Sequence, residues 1–145
     1  MCNETVLQSE AIAEEEDHPK TILIVDDDES QVAALEHRLR RQGYRVLTAL
    51  TAARAKQIVL DKRPDLMLLD LRLPDQDGLA LCSQLADAPQ TCGVPIIIVS
   101  AVERPDIVRR TRAVGGAYYL RKPYDPNVLL TLIHESLGHP ETLDW

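Results

Sequence analysis

Short runs of consecutive apolar residues, ILIV, LMLL and IIIV, recur along the chain with polar segments between them. Continuous runs of this kind, rather than alternation, are typical of strands that are covered on both faces at the centre of a parallel sheet. Two further short segments also suit strands because they hold β-branched and aromatic residues. The pattern predicts strands at residues 22–25, 44–48, 66–69, 95–99 and 117–120.

Between the strands, apolar residues recur every three or four positions, as on the buried side of a helix. Val32, Leu35 and Leu39 show this spacing, and Gly43 follows as a helix stop. The predicted helices are residues 29–42, a helix that opens at Thr51 and ends before Pro64, a helix that buries Leu79, Cys82 and Leu85, and residues 104–114 and 128–137. Five strands that alternate with five helices imply a parallel sheet with right-handed crossovers and helices on both faces.

The net charge of −7 is concentrated at the start of the chain. The first 19 residues contain no Lys or Arg and carry six acids, which are Glu4, Glu10, Glu14, Glu15, Glu16 and Asp17. The other 17 acids face 16 bases, so the rest of the chain is nearly neutral and predicts no nucleic-acid surface. We expect residues 1–19 to be an acidic, flexible tail, residues 20–138 to be one domain, and residues 139–145 to be a second tail.

Composition places the chain among single globular domains, because its 145 residues are 45% hydrophobic and 27% charged. No basic and apolar leader is present, and no apolar run approaches the roughly 18 residues of a membrane helix. We therefore expect a soluble, cytoplasmic protein that does not associate with membranes. The cysteines, Cys2, Cys82 and Cys92, lack the CxxC spacing of metal sites, and we predict plain thiols.

Four of the predicted strands end on a residue that carries charge or forms strong hydrogen bonds. These residues are Asp26 and Asp27 after the first strand, Asp70 after the third, Ser100 after the fourth and Lys122 after the fifth. Ligands of open α/β sheets bind outside the carboxyl ends of the strands, where residues distant in sequence converge. Two carboxylates about 4 Å apart repel each other by roughly 4 kcal/mol at an effective dielectric near 20, so the acids need a cation.

Helix capping is the simpler explanation for part of the acidic run after the first strand, because Asp is a common N-cap. Asp28 fits this explanation. Capping does not account for three acids in a row directly after a buried strand. We therefore predict that Asp26 and Asp27 belong to a metal site, and that Asp75 and Asp77 are turn and N-cap residues around a glycine.

The chemistry of the predicted site follows from its charges. Carboxylate oxygens favour a hard cation such as Mg²⁺ over a thiophilic metal. Lys122 adds a positive charge on a flexible stem, and Ser100 adds a hydroxyl that donates and accepts. Together these groups would stabilise a phosphoryl group on a carboxylate oxygen, and Asp70 is the natural acceptor.

Four stretches of the chain resemble, in the right order, the motifs of the CheY-like receiver domain of two-component response regulators. These stretches are VDDDE, LMLLDLRLPDQDG, IIIVSA and AYYLRKPYD. The resemblance covers residues 20–138 and implies a flavodoxin-like (βα)5 fold. In that fold a doubly wound, five-stranded parallel sheet has the strand order 2-1-3-4-5 and helices on both faces.

The resemblance implies a role for each matching residue at the acidic end of the site. Asp70 matches the phosphorylated aspartate. Asp26 and Asp27 match the acidic pair that holds Mg²⁺ (or Mn²⁺), with the carboxylate of Asp70 and the main-chain carbonyl of Arg72 as further ligands. Arg72 itself departs from the common pattern, and we expect it to change the rate of dephosphorylation.

The resemblance also implies a switch. Lys122 matches the lysine that pairs with the phosphoryl group, and Pro123 matches the proline after a cis peptide. Ser100 matches the switch hydroxyl, and Tyr119 matches the aromatic residue expected to turn inward as Ser100 moves. Simpler alternatives are a loop cap for Ser100, packing for Tyr119 and an ordinary surface lysine for Lys122.

The function implied is that of a receiver rather than an enzyme, beyond its own phosphorylation and dephosphorylation. A histidine kinase or histidine phosphotransfer protein would supply the phosphoryl group in a Mg²⁺-dependent reaction. The response would be a changed binding surface for a downstream protein on the fourth helix, last strand and fifth helix. The fifth helix lacks the arginines that some receivers use to dimerise, so we expect a monomer or weak homodimer without direct nucleic-acid contacts.

Three alternatives stay open at this point. The chain could be the receiver fragment of a longer transcriptional or enzymatic regulator. A haloacid-dehalogenase-like phosphatase is a distant alternative, because Asp26-x-Asp28 mimics its nucleophile motif, although Glu29-Ser30 stands where that family has Gly-Thr or Gly-Val. A flavodoxin-type electron carrier is disfavoured, because three acids after the first strand would repel the cofactor phosphate.

Overall fold

Strands and helices alternate in the computed structural model, which describes residues 18–138. The strands are β1 (Thr21–Val25), β2 (Arg45–Ala49), β3 (Leu66–Leu69), β4 (Ile96–Ser100) and β5 (Tyr118–Arg121). The helices are α1 (Glu29–Arg41), α2 (Ala52–Lys62), α3 (Gly78–Asp87), α4 (Ile107–Ala113) and α5 (Pro126–Ser136). All strands pair in parallel in the order β2-β1-β3-β4-β5, which confirms the predicted topology.

The sheet separates two hydrophobic cores, because successive side chains of a strand point to opposite faces. Leu23 and Val25 of β1 pack in the core shared with α2, α3 and α4. Ile22 and Ile24 pack in the core shared with α1 and α5. The strands β3 and β4 are buried at every position, as the continuous apolar runs predicted.

Hydrogen bonds at both ends of α1 determine how the chain enters this helix after β1 and leaves it before β2. Asp28 caps the helix, since its carboxylate accepts hydrogen bonds from the amides of Ser30 (3.1 Å) and Gln31 (3.2 Å). At the other end, the amide of Tyr44 donates to the carbonyl of Leu39 over 3.2 Å. Because Tyr44 is tied to the end of the helix, β2 begins one residue later than predicted.

The last two helices begin at other residues than the sequence predicted. The helix α4 starts at Ile107 rather than at residue 104, because Pro105 disfavours helical backbone at the residue before it. The helix α5 starts at Pro126, two residues early. Proline suits the first position of a helix, and Asp125 caps it by accepting from the amide of Asn127 over 2.9 Å.

The cysteine prediction holds for only part of the chain. Cys82 is a buried free thiol, and burial raises its pKa to about 11. Cys92 is disulfide-bonded, so the prediction of a thiol there is wrong; pairing cannot be deduced from sequence spacing. Cys2 and most of both predicted tails lie outside the described residues. Within residues 18–138, none of the helices has the length and apolar character needed to cross a membrane.

The loop between β3 and α3 is fastened to the neighbouring helix by Asp75. Its carboxylate accepts hydrogen bonds from the amides of Ala52 (2.9 Å) and Ala53 (3.0 Å), at the start of α2. These bonds lower the pKa of Asp75. Asp77 is the N-cap residue of α3 but makes no capping bond with its side chain. Asp75 therefore lies in the bend before α3, as predicted, but it also binds the amides of another helix, which the sequence did not predict.

We predict that Asp75→Asn lowers the thermal unfolding midpoint at pH 7, whereas Asp77→Asn, in the same loop, leaves it unchanged. A lowered folded-state pKa contributes stability that is present above the unfolded pKa and is lost as the pH falls through the folded pKa. The gap between parent and Asp75→Asn should therefore close in acid. Circular dichroism melts over a pH series measure it. An equal effect of both substitutions, or a gap that does not change with pH, would contradict this assignment.

Candidate functional site

The ammonium group of Lys122 lies between two carboxylates at the carboxyl edge of the sheet. Its Nζ is 2.7 Å from Oδ2 of Asp26 and 3.1 Å from Oδ2 of Asp70. The side chains are almost buried, with exposed fractions of 17% for Lys122, 10% for Asp26 and 11% for Asp70. The structure thus brings together residues that follow β1, β3 and β5, which the sequence placed at one edge.

Backbone hydrogen bonds fix the positions of these three residues, because each continues the sheet ladder one residue beyond its strand. The amide of Asp26 donates to the carbonyl of Ala49 over 3.1 Å. The amide of Asp70 donates to Val25 over 2.9 Å, and that of Lys122 donates to Ser100 over 2.9 Å. The site is therefore part of the sheet rather than a mobile loop.

Each carboxylate also accepts a hydrogen bond from the chain that follows it. Oδ1 of Asp26 accepts from the amide of Asp28 over 3.0 Å, and Oδ1 of Asp70 accepts from the amide of Arg72 over 3.1 Å. Bonds from an aspartate to the amide two residues on are typical of turns that begin with aspartate. Both carboxylates are thereby held on two sides, by Lys122 and by their own turns.

The site keeps an excess of negative charge, because one ammonium faces two carboxylates. Burial raises the pKa of Asp26, although the hydrogen bond and charge of Lys122 oppose this effect. For Lys122, burial alone would lower the pKa, but the hydrogen bond to Asp26 and the two carboxylate charges outweigh it, and the pKa is raised. Lys122 is therefore charged at neutral pH, and Asp26 favours additional positive charge.

The structure does not assemble the predicted metal ligands into one cluster. Asp27 is exposed, and within residues 18–138 no three Asp, Glu, His or Cys side chains are arranged to hold a metal ion. Asp26 and Asp70 supply two buried carboxylates, with the carbonyl of Arg72 in the turn that Asp70 starts. Mg²⁺ usually needs only one or two carboxylates, because it keeps several waters and binds phosphate oxygens. The donor set therefore fits this ion.

The predicted switch residues meet at the loop after β4. Ser100 is fully buried, and its Oγ accepts a hydrogen bond from the amide of Val102 over 3.3 Å. The Tyr119 hydroxyl donates to the carbonyls of Val102 (2.5 Å) and Ser100 (3.2 Å). In this structure Ser100 thus caps the loop, as the simpler alternative proposed. The ring of Tyr119 is half-buried, and its inward turn as Ser100 moves stays a prediction.

Two nearby side chains were not predicted as part of the site. Gln31 and Tyr124 line a small pocket beside Asp26, Asp70 and Lys122. Tyr124 was assigned to packing, and burial raises its pKa. Their positions in the sequence could have indicated that they lie near the site. Gln31 is in the first turn of the helix that follows the acids, and Tyr124 lies two residues after Lys122.

An open groove of about 470 Å³ adjoins this pocket between α1 and the loop from β5 to α5. Its walls include Gln31, Arg38, Lys122, Pro123 and Tyr124. The peptide bond between Lys122 and Pro123 is cis, as the family resemblance implied. The groove and the small pocket therefore share Gln31, Lys122 and Tyr124 as lining residues.

We predict that Asp26→Asn gains stability relative to the parent as the pH rises from about 4 toward neutral. A raised folded-state pKa contributes stability below the unfolded pKa that is lost as the pH rises through the folded pKa, and asparagine cannot titrate. Urea unfolding at several pH values measures the free-energy difference. Asp61→Asn, at an exposed position of α2, is the control and should follow the parent at every pH. A constant difference between Asp26→Asn and the parent would contradict the role of burial.

Comparison with known proteins agrees on one family. The family model described as the response regulator receiver domain matches residues 22–134. Response regulator PleD of Caulobacter vibrioides is 34% identical over 113 residues, which are 77% of this chain and 25% of PleD. The alkaline phosphatase synthesis transcriptional regulatory protein PhoP of Bacillus subtilis is 36% identical over 107 residues, covering 74% of this chain and 44% of PhoP.

Solved structures agree with the sequence relatives. A CheY-like response regulator receiver domain protein from Methanospirillum hungatei JF-1 superposes with a TM-score of 0.79 at 29% identity. The match covers 88% of this chain and 100% of that chain. This chain spans less than half the length of the curated relatives described above, but nearly all of it corresponds to one complete receiver domain structure.

Proposed function

Since the chain belongs to the response regulator receiver domain family, we propose that it accepts a phosphoryl group on Asp70 from a histidine kinase or a histidine phosphotransfer protein. The observation that carries this proposal is the position of Lys122 Nζ, within hydrogen-bond distance of both Asp26 and Asp70. A positive charge shared by two buried carboxylates is suited to a group that adds further negative oxygens at the same place.

In the proposed transfer, an Oδ oxygen of Asp70 attacks the phosphorus of a phosphohistidine. A P–O bond forms and the P–N bond breaks; its electron pair goes to the imidazole nitrogen of the donor. Lys122 stabilises the charge on the phosphoryl oxygens. Asp26, Asp27, Asp70 and the carbonyl of Arg72 would hold Mg²⁺, which neutralises phosphoryl charge when bound. The groove beside Lys122 and Pro123 adjoins the pocket that Asp70 lines, and the donor histidine would enter there.

The switch that we propose acts on the loop after β4. The Ser100 Oγ now accepts a bond from the neutral amide of Val102, whereas a phosphoryl oxygen on Asp70 is a charged acceptor, so the hydroxyl would leave that amide and donate to the phosphoryl oxygen. Tyr119 would continue to hold the carbonyl of Val102. The loop would then shift, together with the surface of α4, β5 and α5 that a downstream protein binds.

Two arrangements of this receiver are consistent with the family. It could act alone in the cytoplasm, as a monomer or weak homodimer, through a protein partner and without catalysis beyond its own phosphorylation. It could also be the receiver part of a longer transcriptional or enzymatic regulator, since the curated relatives extend well beyond the matched segment. In both arrangements the chemistry at Asp70 is the same.

We predict that Asp70→Asn abolishes uptake of an acid-labile phosphoryl group from acetyl phosphate in the presence of Mg²⁺, because the amide is a far weaker nucleophile. Intact-protein mass spectrometry measures the uptake. Asp77→Asn, which removes an exposed carboxylate of the same loop, should leave it intact, and a chelator should stop it. Phosphoryl uptake by Asp70→Asn, or steady phosphatase turnover by the parent, would contradict the proposed function.

Arg72 should lengthen the life of the phosphorylated state. Its amide already binds Asp70, and its charge lowers the pKa of Tyr119, against the larger raising effect of burial and of Asp70. We predict that Arg72→Asn shortens the phosphoryl half-life severalfold, because a cation that shields the group from water is lost. Decay of the phosphorylated protein on Phos-tag gels measures it, with Arg109→Asn as an exposed control. An unchanged half-life would remove Arg72 from the mechanism.

A further inference from the structure

One side of α1 carries positive charge around a second groove. This groove has a volume of about 480 Å³ and is lined by Ala34, His37, Arg38, Arg41 and Gln42. All five residues are exposed. The first four follow the spacing i, i+3, i+4 and i+7, and residues at this spacing lie along one face of a helix. We call Ala34, His37, Arg38 and Arg41 the α1 stripe.

The arginines of the α1 stripe form no ion pair within the described residues. Arg38 and Arg41 have no carboxylate partner from residue 18 to residue 138. Glu36, the one acid in the second half of α1, pairs with Arg40 over 2.8 Å. The helix dipole places only about half a negative charge at the end of a helix, so it accounts for part of this positive charge. The rest is available to an acidic ligand.

Hydrogen bonds place the start of the sheet beside the end of α1. The amide of Arg45 donates to the carbonyl of Lys20 over 2.8 Å, and the amide of Tyr44 donates to the carbonyl of Leu39 over 3.2 Å. The chain before Lys20 therefore joins the domain close to the last turn of α1. The first 19 residues contain six acids and no Lys or Arg. We call residues 4–17, which hold these acids, the acidic segment.

The acids nearest to the domain are within reach of the α1 stripe. Residues 14–17 are all acidic and precede residue 20 by three to six positions. This separation is roughly 10–20 Å of extended chain. The stripe, from Ala34 to Arg41, is about 10 Å long at 1.5 Å per residue. Because the segment is covalently attached, its effective concentration at the stripe is on the order of millimolar, so weak contacts are sufficient.

We propose that the acidic segment docks on the α1 stripe of its own chain and places carboxylates on Arg38 and Arg41. Arginine suits this ligand because its planar guanidinium forms paired hydrogen bonds with a carboxylate. The exposed arginines of α4 are a rival site with the same charge. The helix α4 packs on the opposite face of the sheet from α1, however, and the acidic segment joins the domain beside α1.

The α1 stripe adjoins the groove beside Lys122, because Ala34 and Arg38 line both grooves. A docked acidic segment would therefore border the entrance proposed for the donor histidine. This consequence rests on the proposed function, whereas the docking itself does not depend on phosphorylation of Asp70.

NMR spectra of the full chain test docking within one molecule. A neutral-segment variant carries Glu4→Gln, Glu10→Gln, Glu14→Gln, Glu15→Gln, Glu16→Gln and Asp17→Asn. Compared with the parent, it should shift the amide signals of residues 34–42 and leave those of α4 in place. In a chain with Arg38→Glu and Arg41→Glu, the same six substitutions should not shift residues 34–42. Unshifted signals in α1, equal shifts in both helices, or α1 shifts that persist without the arginines would overturn the proposal.

A synthetic peptide of residues 1–17, with Cys2→Ser and fluorescein at its amino end, separates position from charge. In fluorescence anisotropy it should bind the neutral-segment variant, and binding should weaken as salt is added. Adding Arg38→Glu and Arg41→Glu should weaken the affinity at least tenfold. The pair Arg109→Glu and Arg112→Glu makes the same charge change at the same spacing on α4, and it should change the affinity less than twofold. Equal losses for both pairs, or no binding, would overturn the proposal.

Two controls separate docking from the fold and from the proposed function. Circular dichroism melts identify a variant that does not fold, and Arg38→Gln with Arg41→Gln then replaces the glutamate pair, with weaker peptide binding again expected. No phosphoryl donor is present in the NMR and peptide measurements. Their failure would overturn the docking and leave the receiver function intact, whereas failure of Asp70 to take up a phosphoryl group would overturn the proposed function alone.

Discussion

The bond between one ammonium and two carboxylates is the interaction on which the site depends. Two carboxylates this close would repel each other by several kcal/mol at the effective dielectric of a protein surface, and burial increases the cost. Lys122 offsets that repulsion by contacting Asp26 and Asp70 at once. The negative charge that Lys122 leaves uncompensated would favour the cation and the phosphoryl group of the proposed function.

Strand order makes this interaction possible. The strands β1 and β3 are neighbours, so Asp26 and Asp70 are adjacent without any special loop. Lys122 follows β5 and must reach across β4, and two strand spacings are roughly 10 Å. A long, flexible side chain can do this. Gly78 lets the start of α3 pack directly against the turn that follows Asp70. A side-chain carbon at position 78 would lie 2.6 Å from the carbonyl oxygen of Asp70, so only glycine fits there.

The sequence predicted the sheet and the residues that end its strands, because buried strands and charged strand ends are local patterns. It failed where contacts between distant segments decide the structure. Nothing in the loop sequence shows that Asp75 binds the first amides of α2. The position of Ser100 depends on the competition between the amide of Val102 and a phosphoryl group, and the exposure of Asp27 depends on the turn after β1. The family resemblance supplied expected roles for Ser100 and Asp27, but not the contacts that these two residues make.

Val102 shows how a chemical change at Asp70 would be passed to the surface. Both polar groups of its backbone are held by side chains, the amide by Ser100 and the carbonyl by Tyr119. A neutral hydrogen bond contributes about 0.5–1.5 kcal/mol net, and one to a charged group about 1.5–3 kcal/mol. In the proposed switch, Ser100 would gain only about 1 kcal/mol by leaving Val102 for a phosphoryl oxygen, which is roughly a fivefold change in population. So modest a shift would not make an all-or-none switch by itself, and the proposed function therefore needs contributions from the contacts of Lys122 and of the downstream partner as well.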